Sequence, residues 1–356
     1  MSALPALPLT RFASPGDTTA PQPPEERGLP RDGVRLLVAR DSGLAHAHFR
    51  DLPAYLSPGD LVVVNSSATL AAEFDAVTSL HGAVVVHAAT RLDDGTWVVE
   101  LRTAPDAARP VLDAAPGEVV ELRGSGVGLE LIEPYPRSGS SPTGRGNRLW
   151  RAAATAHLCP SQHLLRHGRP IAYGYLERRY PLSAYQTVFA SRPGSAEMPS
   201  AGRPFTAELV TTLIASGVGV TAVTLHTGVS SQDAGEAPQP ERFEVPAVAA
   251  RLVNATRAAG GRVVAVGTTV TRALESAVAA DGLVHARAGW TDRVVSSQDP
   301  ARVVDGLITG WHNPEASHLL LVESVAGPGL TQQAYDAAVE RGYLWHEFGD
   351  SALLLP

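Results

Sequence analysis

Residues 260–276 read GGRVVAVGTTVTRALES: an apolar run from Val263 to Val266, then Gly267-Thr268-Thr269, then a helical pattern carrying Arg272 and Glu275. A strand that ends in Gly-Thr-Thr and restarts as a helix directs free backbone N–H groups, two hydroxyls and a positive dipole end into one space. Such a turn suits a carboxylate, a phosphate or a sugar. Thr268 or Thr269 acting as a plain helix cap requires the same residues, so the turn alone does not decide. Three further groups gather nearby in the chain: His226 ends an apolar run ahead of Gly228, and Asp305 and His312 both lie in RVVDGLITGWHNP. An imidazole titrates near neutrality and a carboxylate can accept a proton, which suits acid–base work. Each is equally compatible with a satisfied hydrogen bond at a strand end. Their number marks the C-terminal half as the place to look.

Other motifs carry less. RGSGVGLE, 123–130, has glycines in G-x-G-x-G spacing, but the following LELIE alternates like a strand, whereas a dinucleotide loop must open a helix. His157, Cys159, His163 and His167 lie close together, the last two at the i, i+4 spacing of metal pairs, yet no acidic third ligand accompanies them, and no metal is expected. His46 and His48 share one face of a half-exposed strand. Cys159 is the only cysteine, which excludes an intrachain disulfide and a Cys-based zinc cluster. All 29 basic residues are arginines. Schiff-base chemistry, a pyridoxal phosphate anchor and a P-loop lysine are thereby excluded in their usual forms.

The elements that must position these groups follow from periodicity. TAELVTTLIAS, 206–216, has helical spacing, ends at Gly217 and leads into the strand VGVTAVTLH; 246–259 repeats the plan before Gly260-Gly261. Near the C-terminus Thr331 would cap QQAYDAAVER, Gly342 would stop it, and YLWHEF would follow as the next strand. Alternation of this kind predicts an α/β layer, in which sites collect at the C-terminal ends of strands. Residues 66–150 differ, with short β-type runs (83–88, 96–101, 119–122, 128–132) between Asp-Asp-Gly, Pro-Gly and Gly-Ser-Gly, a pattern that suits a small antiparallel barrel. The expected organisation is an extended, poorly packed leader over 1–30, a discontinuous α/β main domain over 31–65 and 151–356, and an inserted β-barrel over 66–150. The net charge of −7 argues against a broadly basic nucleic-acid surface, while arginines 145–151 remain a local phosphate-binding candidate. No apolar run approaches the roughly 20 residues that cross a bilayer, and the cytoplasm is the expected location.

In order, FRDLPAYLSPGDLVVVN, SAYQTVFA, MPSAGRPFT, VTLHTGV, ERFEVP, RVVAVGTTVTRALES, GWTD, VVDGLITGWHNPEASHLLLVESVAG and ERGYLWHEFGD lie within residues 35–352 and resemble the S-adenosylmethionine:tRNA ribosyltransferase-isomerase family of queuosine synthesis. The resemblance implies an α/β domain with an inserted barrel, S-adenosylmethionine as co-substrate and ribosyl donor, and tRNA bearing 7-aminomethyl-7-deazaguanine as acceptor. Epoxyqueuosine would form with release of adenine and methionine. The scheme it implies needs a base for the C5′ proton, an acid near adenine, and anchors for the methionine carboxylate and ammonium. Carried over by motif, Gly267, Thr268, Thr269, Arg272 and Glu275 would hold the donor, Arg272 on the carboxylate and Glu275 on the ammonium, unless the two merely form an i, i+3 pair. His226 would be the first candidate for proton transfer, assisted by Asp305 and His312. Ser200, Gly202, Arg203 and Glu241 would contact substrate.

The sequence departs from the family pattern in loops. Asn65-Ser66-Ser67-Ala68-Thr69 stands for NDTRV, Pro204 for a histidine, Val229-Ser230-Ser231-Gln232 for the residues ending in GTF, Gln239-Pro240-Glu241 for HSE, and Gly310-Trp311 for Asn-Phe. Two alternatives to the tRNA enzyme therefore stand: a donor-consuming enzyme with a small-molecule acceptor, and a catalytically inactive binding protein.

Overall fold

The computed structural model describes residues 7–13, 16, 18–137, 146–156, 166–230, 238–314 and 316–356. Leu61–Asn65 (β3), LVVVN, is buried at all five positions, as a central strand covered on both faces must be. Parallel to it on one side runs Gly219–Leu225 (β12) and on the other Val263–Val266 (β14), which in turn pairs in parallel with Gly306–Thr309 (β16). Ser351–Leu355 (β17) pairs antiparallel to β16 and leads to Arg35–Arg40 (β1) and the edge strand Gly43–His48 (β2). At the other side β12 continues into Glu241–Val245 (β13) and Arg287–Thr291 (β15). The result is a nine-stranded mixed sheet in the order β15-β13-β12-β3-β14-β16-β17-β1-β2. Alternate residues feed two cores, Leu37, Val63 and Ala265 on one face and Val38, Val62 and Val264 on the other.

The inserted domain is a closed six-stranded antiparallel barrel of Glu73–Thr78 (β5), Gly82–Arg91 (β6), Trp97–Thr103 (β7), Val119–Leu122 (β8), Val127–Pro134 (β9) and Leu149–Ala154 (β10). It therefore begins later and ends later than the expected 66–150. Residues 65–69 stay with the main domain because their polar side chains are bonded there: Ser66 Oγ donates to Val223 O at 3.1 Å, and Ser67–Thr69 (β4) pairs with Arg192–Ser195 (β11). Gly124 and Gly126 take φ of 73° and 69° in the turn between β8 and β9, so the G-x-G-x-G run is a hairpin.

Three further expectations are corrected. The described residues of the leader are packed, not loose: Phe12 stacks on Trp345 at 5.5 Å, Thr19 bridges to Trp345, and Arg27 Nη2 donates to Phe348 O at 2.7 Å. The last long helix is Pro328–Glu340, so Thr331 lies inside it and returns its hydroxyl to Gly327 O at 2.7 Å. YLWHEF is not a strand; Trp345 and Phe348 are buried anchors on either side of His346, which takes φ 67°, and the strand follows at Ser351. Of arginines 145–151, Arg148 is buried against Glu100 and Arg151 pairs with Asp94 and Glu133, so both are engaged within the protein. Arg145, His157, Cys159 and His163 lie outside the described residues. No helix among the described residues is long and apolar enough to cross a membrane.

Candidate active site

The parallel strands β12, β14, β3 and β16 all end on one edge of the sheet, and a cavity of about 220 Å³ opens there. Gly267 begins its floor at φ 90°, with its amide donating to Ile308 O at 2.7 Å. The helix Thr268–Ser276 follows at once, with no side-chain cap on its first turn. Its leading N–H groups therefore remain available to a ligand's anionic end. Asn65 fixes the turn: its amide donates to Leu225 O at 2.8 Å and to Thr269 Oγ1 at 3.3 Å, while its carbonyl accepts from the Leu225 amide at 3.1 Å. A Cβ at Gly267 would meet Ala201 Cβ at 3.2 Å in a backbone conformation that L-residues avoid. Gly267→Ala is expected to cost roughly 1–3 kcal/mol in urea unfolding; an unchanged midpoint would refute the strain.

Arg272 and Glu275 leave this helix in different directions. The Arg272 guanidinium bonds Glu241, Gln239 O (3.2 Å), Thr291 O (3.3 Å) and Arg293 O (3.2 Å), so protein acceptors occupy its fork. Glu275 is fully buried, and its Oε1 accepts the amides of Arg302, Val303 and Val304 at 2.9, 2.9 and 3.2 Å. It is neither the ammonium anchor nor the i, i+3 partner of Arg272. Its position on the helix points it into the loop before β16.

The opposite wall was less legible. His312 follows β16 and stacks on His318 with ring centroids 4.6 Å apart and planes within 5°. Burial, with His318 and His346 beside it, pushes the His312 imidazole well below its ordinary value, and burial with Arg272 nearby takes His318 down to about 4. Both are unprotonated near neutrality. Three carboxylates face them: Glu241, Glu347 and Glu197. Burial raises the Glu241 carboxyl against the opposing Arg272, and burial pushes Glu347 up to about 7. Tyr175 donates to Glu347, while Tyr173 and the Ser230 amide (2.9 Å) donate to Glu197.

Of the residues chosen from sequence, Gly267, Thr268, Thr269, Arg272, Glu241, Ser200 and His312 line the cavity. Four do not, besides Glu275. Asp305 stands at the opposite end of β16, where its carboxylate accepts the Val263 amide at 2.9 Å, a strand length of roughly 13 Å away. His226 turns from the cavity to Ser67 Oγ (2.7 Å) and lies over Gly194, because strand alternation sends Thr227 and His226 to opposite sides. Arg203 is buried on Glu25 and Ala184 O, both at 2.9 Å, and Gly202 is packed beside Thr187. His318, Glu197 and Glu347 were missed. Glu197 directly precedes the MPSAGRPFT segment and Glu347 lies inside YLWHEFGD, so proximity to those motifs was the available signal.

An α/β scaffold with an inserted barrel, offering a cationic ligand three carboxylates, a helix N-terminus and unprotonated imidazoles at its parallel strand ends, is the class of protein this fold and site define. The chain belongs to the family described as queuosine biosynthesis protein, whose model matches residues 9–354. It is 36% identical over 361 residues to the S-adenosylmethionine:tRNA ribosyltransferase-isomerase of Moorella thermoacetica, covering 97% of this chain and 98% of that protein. The protein of the same name from Thermus thermophilus is 34% identical over 349 residues, covering 94% and 97%. The crystal structure of S-adenosylmethionine tRNA ribosyltransferase from Thermotoga maritima aligns over 97% of this chain and 99% of its own, with a TM-score of 0.52 and 26% identity.

Proposed function

We propose that the protein transfers and isomerises the ribosyl moiety of S-adenosylmethionine onto 7-aminomethyl-7-deazaguanine in tRNA, releasing adenine and methionine. The observation that carries the reading is the cavity's charge. Glu197 and Glu347 face it with no cationic partner among the described residues, while Glu241 is paired with Arg272 and Arg293 bonds Glu275 O and Asp299, the latter at 2.6 Å. A sulfonium, a methionine ammonium and an aminomethyl ammonium are all cations, and such a lining favours them. The methionine carboxylate goes to the first turn of Thr268–Ser276, because Arg272 has no vacant edge to offer it. The unprotonated His312 and His318 meet donor or acceptor groups of the adenine without adding positive charge.

Of the departures from the family pattern, Val229, Ser230, Gln239, Gly310 and Trp311 line the cavity, yet its carboxylates Glu197, Glu241 and Glu347 are all present. Ser230, standing where the pattern has glycine, donates to Glu197, and Pro204 lies outside the cavity beside Arg203. Purified protein mixed with S-adenosylmethionine is expected to release adenine with tRNA carrying the aminomethyl base and not with unmodified transcript. Adenine release that ignores the tRNA, or none with it, would remove this reading.

A further inference from the structure

Tyr173 and Tyr175 lie side by side behind the cavity, ring centroids 6.0 Å apart, and Tyr175 stacks on His346 at 4.9 Å. Each phenol donates to one carboxylate: Tyr173 to Glu197 and Tyr175 to Glu347. Burial raises both phenols far above their ordinary range, so they stay protonated and act only as donors. Two acids thus face the cavity, each gripped from behind by a neutral group. Among the described residues neither has a cationic partner, in contrast to Glu241, which has Arg272. The loop that carries Glu347 is itself held in place, since Trp345 is bridged to Thr19 and Phe348 O is bonded by Arg27.

We infer that Glu347 is the base that removes a proton from the primary ammonium of the acceptor, with Glu197 as the negative neighbour that draws that ammonium into place. The inference rests on the function proposed above. The step breaks one N–H bond of the ammonium and forms one O–H bond on the Glu347 carboxylate. The nitrogen lone pair so freed forms the C–N bond to the vinyl carbon of the ring-opened donor, whose π bond breaks and passes its electron pair to the carbon beside the sulfonium. The C–S bond breaks at ring closure with its pair leaving on methionine, and the Glu347 proton and the extra proton on the new C–N nitrogen return to water as product leaves. An ammonium has no lone pair and cannot attack, so some base must act before that bond forms. The groups facing Glu347 are Glu197, His346 and the phenols of Tyr173, Tyr175 and Tyr185. Burial and Glu197 raise the Glu347 carboxyl and Tyr175 lowers it, to about 7, close to the optimum for a base working at neutral pH.

The test uses the full chain, S-adenosylmethionine and tRNA bearing the aminomethyl base. In wild-type protein the rate of ribosyl transfer is expected to rise with pH through about 7, as Glu347 loses its proton. Glu347→Gln is expected to transfer about 10²–10³-fold more slowly at saturating donor. Its rising limb should move toward the amine's own titration, roughly pH 10. Tyr175→Phe removes the group that lowers Glu347 and should shift the wild-type limb upward while leaving donor affinity unchanged, which keeps the inference testable if Glu347→Gln does not fold. A limb unmoved in both variants overturns the inference alone. Wild-type protein that releases no adenine overturns the functional reading and the inference with it.

Discussion

Exchanging Glu100 for glutamine is expected to destabilise the protein by about 3–5 kcal/mol, because it strands several buried cations at once. Glu100 is 1% exposed in its side chain, with Arg102 Nη1 at 2.7 Å and Arg148 Nη1 at 3.2 Å from one oxygen and His87 Nδ1 at 3.6 Å from the other. His87 is fully buried and continues to Glu73 at 3.1 Å, which Arg169 and Arg179 approach from the opposite side at 2.7 and 2.5 Å. The cluster joins the barrel to the 169–179 segment, and His87 meets the Tyr173 ring edge-on at 6.3 Å, so it supports the tyrosine that holds Glu197. Burial opposes the ionised carboxylates, but His87 and the arginines outweigh it and hold Glu73 and Glu100 at about 2. Burial likewise opposes the charged His87, and Glu100 and Glu73 outweigh it and raise the imidazole. The pH dependence follows in sign. The carboxylates sit below their ordinary value of 4.5, so their stabilisation is complete above that pH and lost as pH falls through about 2. His87 sits above its ordinary 6.5, so its stabilisation is complete below that pH and lost as pH rises through the raised value. Urea unfolding followed by tryptophan fluorescence should show Glu100→Gln losing about 3–5 kcal/mol; a loss under about 1 kcal/mol would mean the cluster is replaceable by neutral contacts.

How much of this was legible in the sequence depended on whether a residue's role is local. The turn Gly267-Thr268-Thr269 is read from three adjacent residues, and its place at a strand end follows from VVAV before it. The hairpin at Gly124 and Gly126 is local in the same sense. Asp305 misled because a carboxylate beside an apolar strand has the same pattern at either end, and only parallel pairing with β14 shows which end faces the cavity. His226 misled by one residue: the strand delivers Thr227 and Gly228 to the cavity and sends His226 behind them. The leader's proline content misled about packing, since composition says nothing of the Trp345 surface along which its described residues lie. Glu197 and Glu347 are 150 positions apart, and nothing local records that Tyr173 and Tyr175, themselves two residues apart, bring both to one wall.

Arg272 is where the resemblance and the geometry differ most, and its removal is the second large effect expected. By motif it would meet the donor's carboxylate; in the structure it is 7% exposed and ties three segments together. It starts in the helix Thr268–Ser276, bonds Glu241 and Gln239 O at the start of β13, and bonds Thr291 O and Arg293 O at the end of β15. Arg272→Met should therefore cost about 3–5 kcal/mol, the range for stripping a buried charge of its partner. The loss is bounded by Glu241, whose carboxyl burial already raises and which can take up a proton once the guanidinium is gone. For that reason the variant should be less destabilised at pH 5 than at pH 8, because protonating Glu241 is cheaper there. Arg272→Lys should recover only part of the loss, since an ammonium cannot reach four acceptors in the plane of the guanidinium fork. Pairing Arg272→Met with Glu241→Gln separates structure from binding. If the pair is chiefly a clamp on the cavity wall, the double variant regains about half or more of the lost stability. A coupling energy below roughly 0.5 kcal/mol would show the two residues acting independently, and would return Arg272 to the ligand's carboxylate.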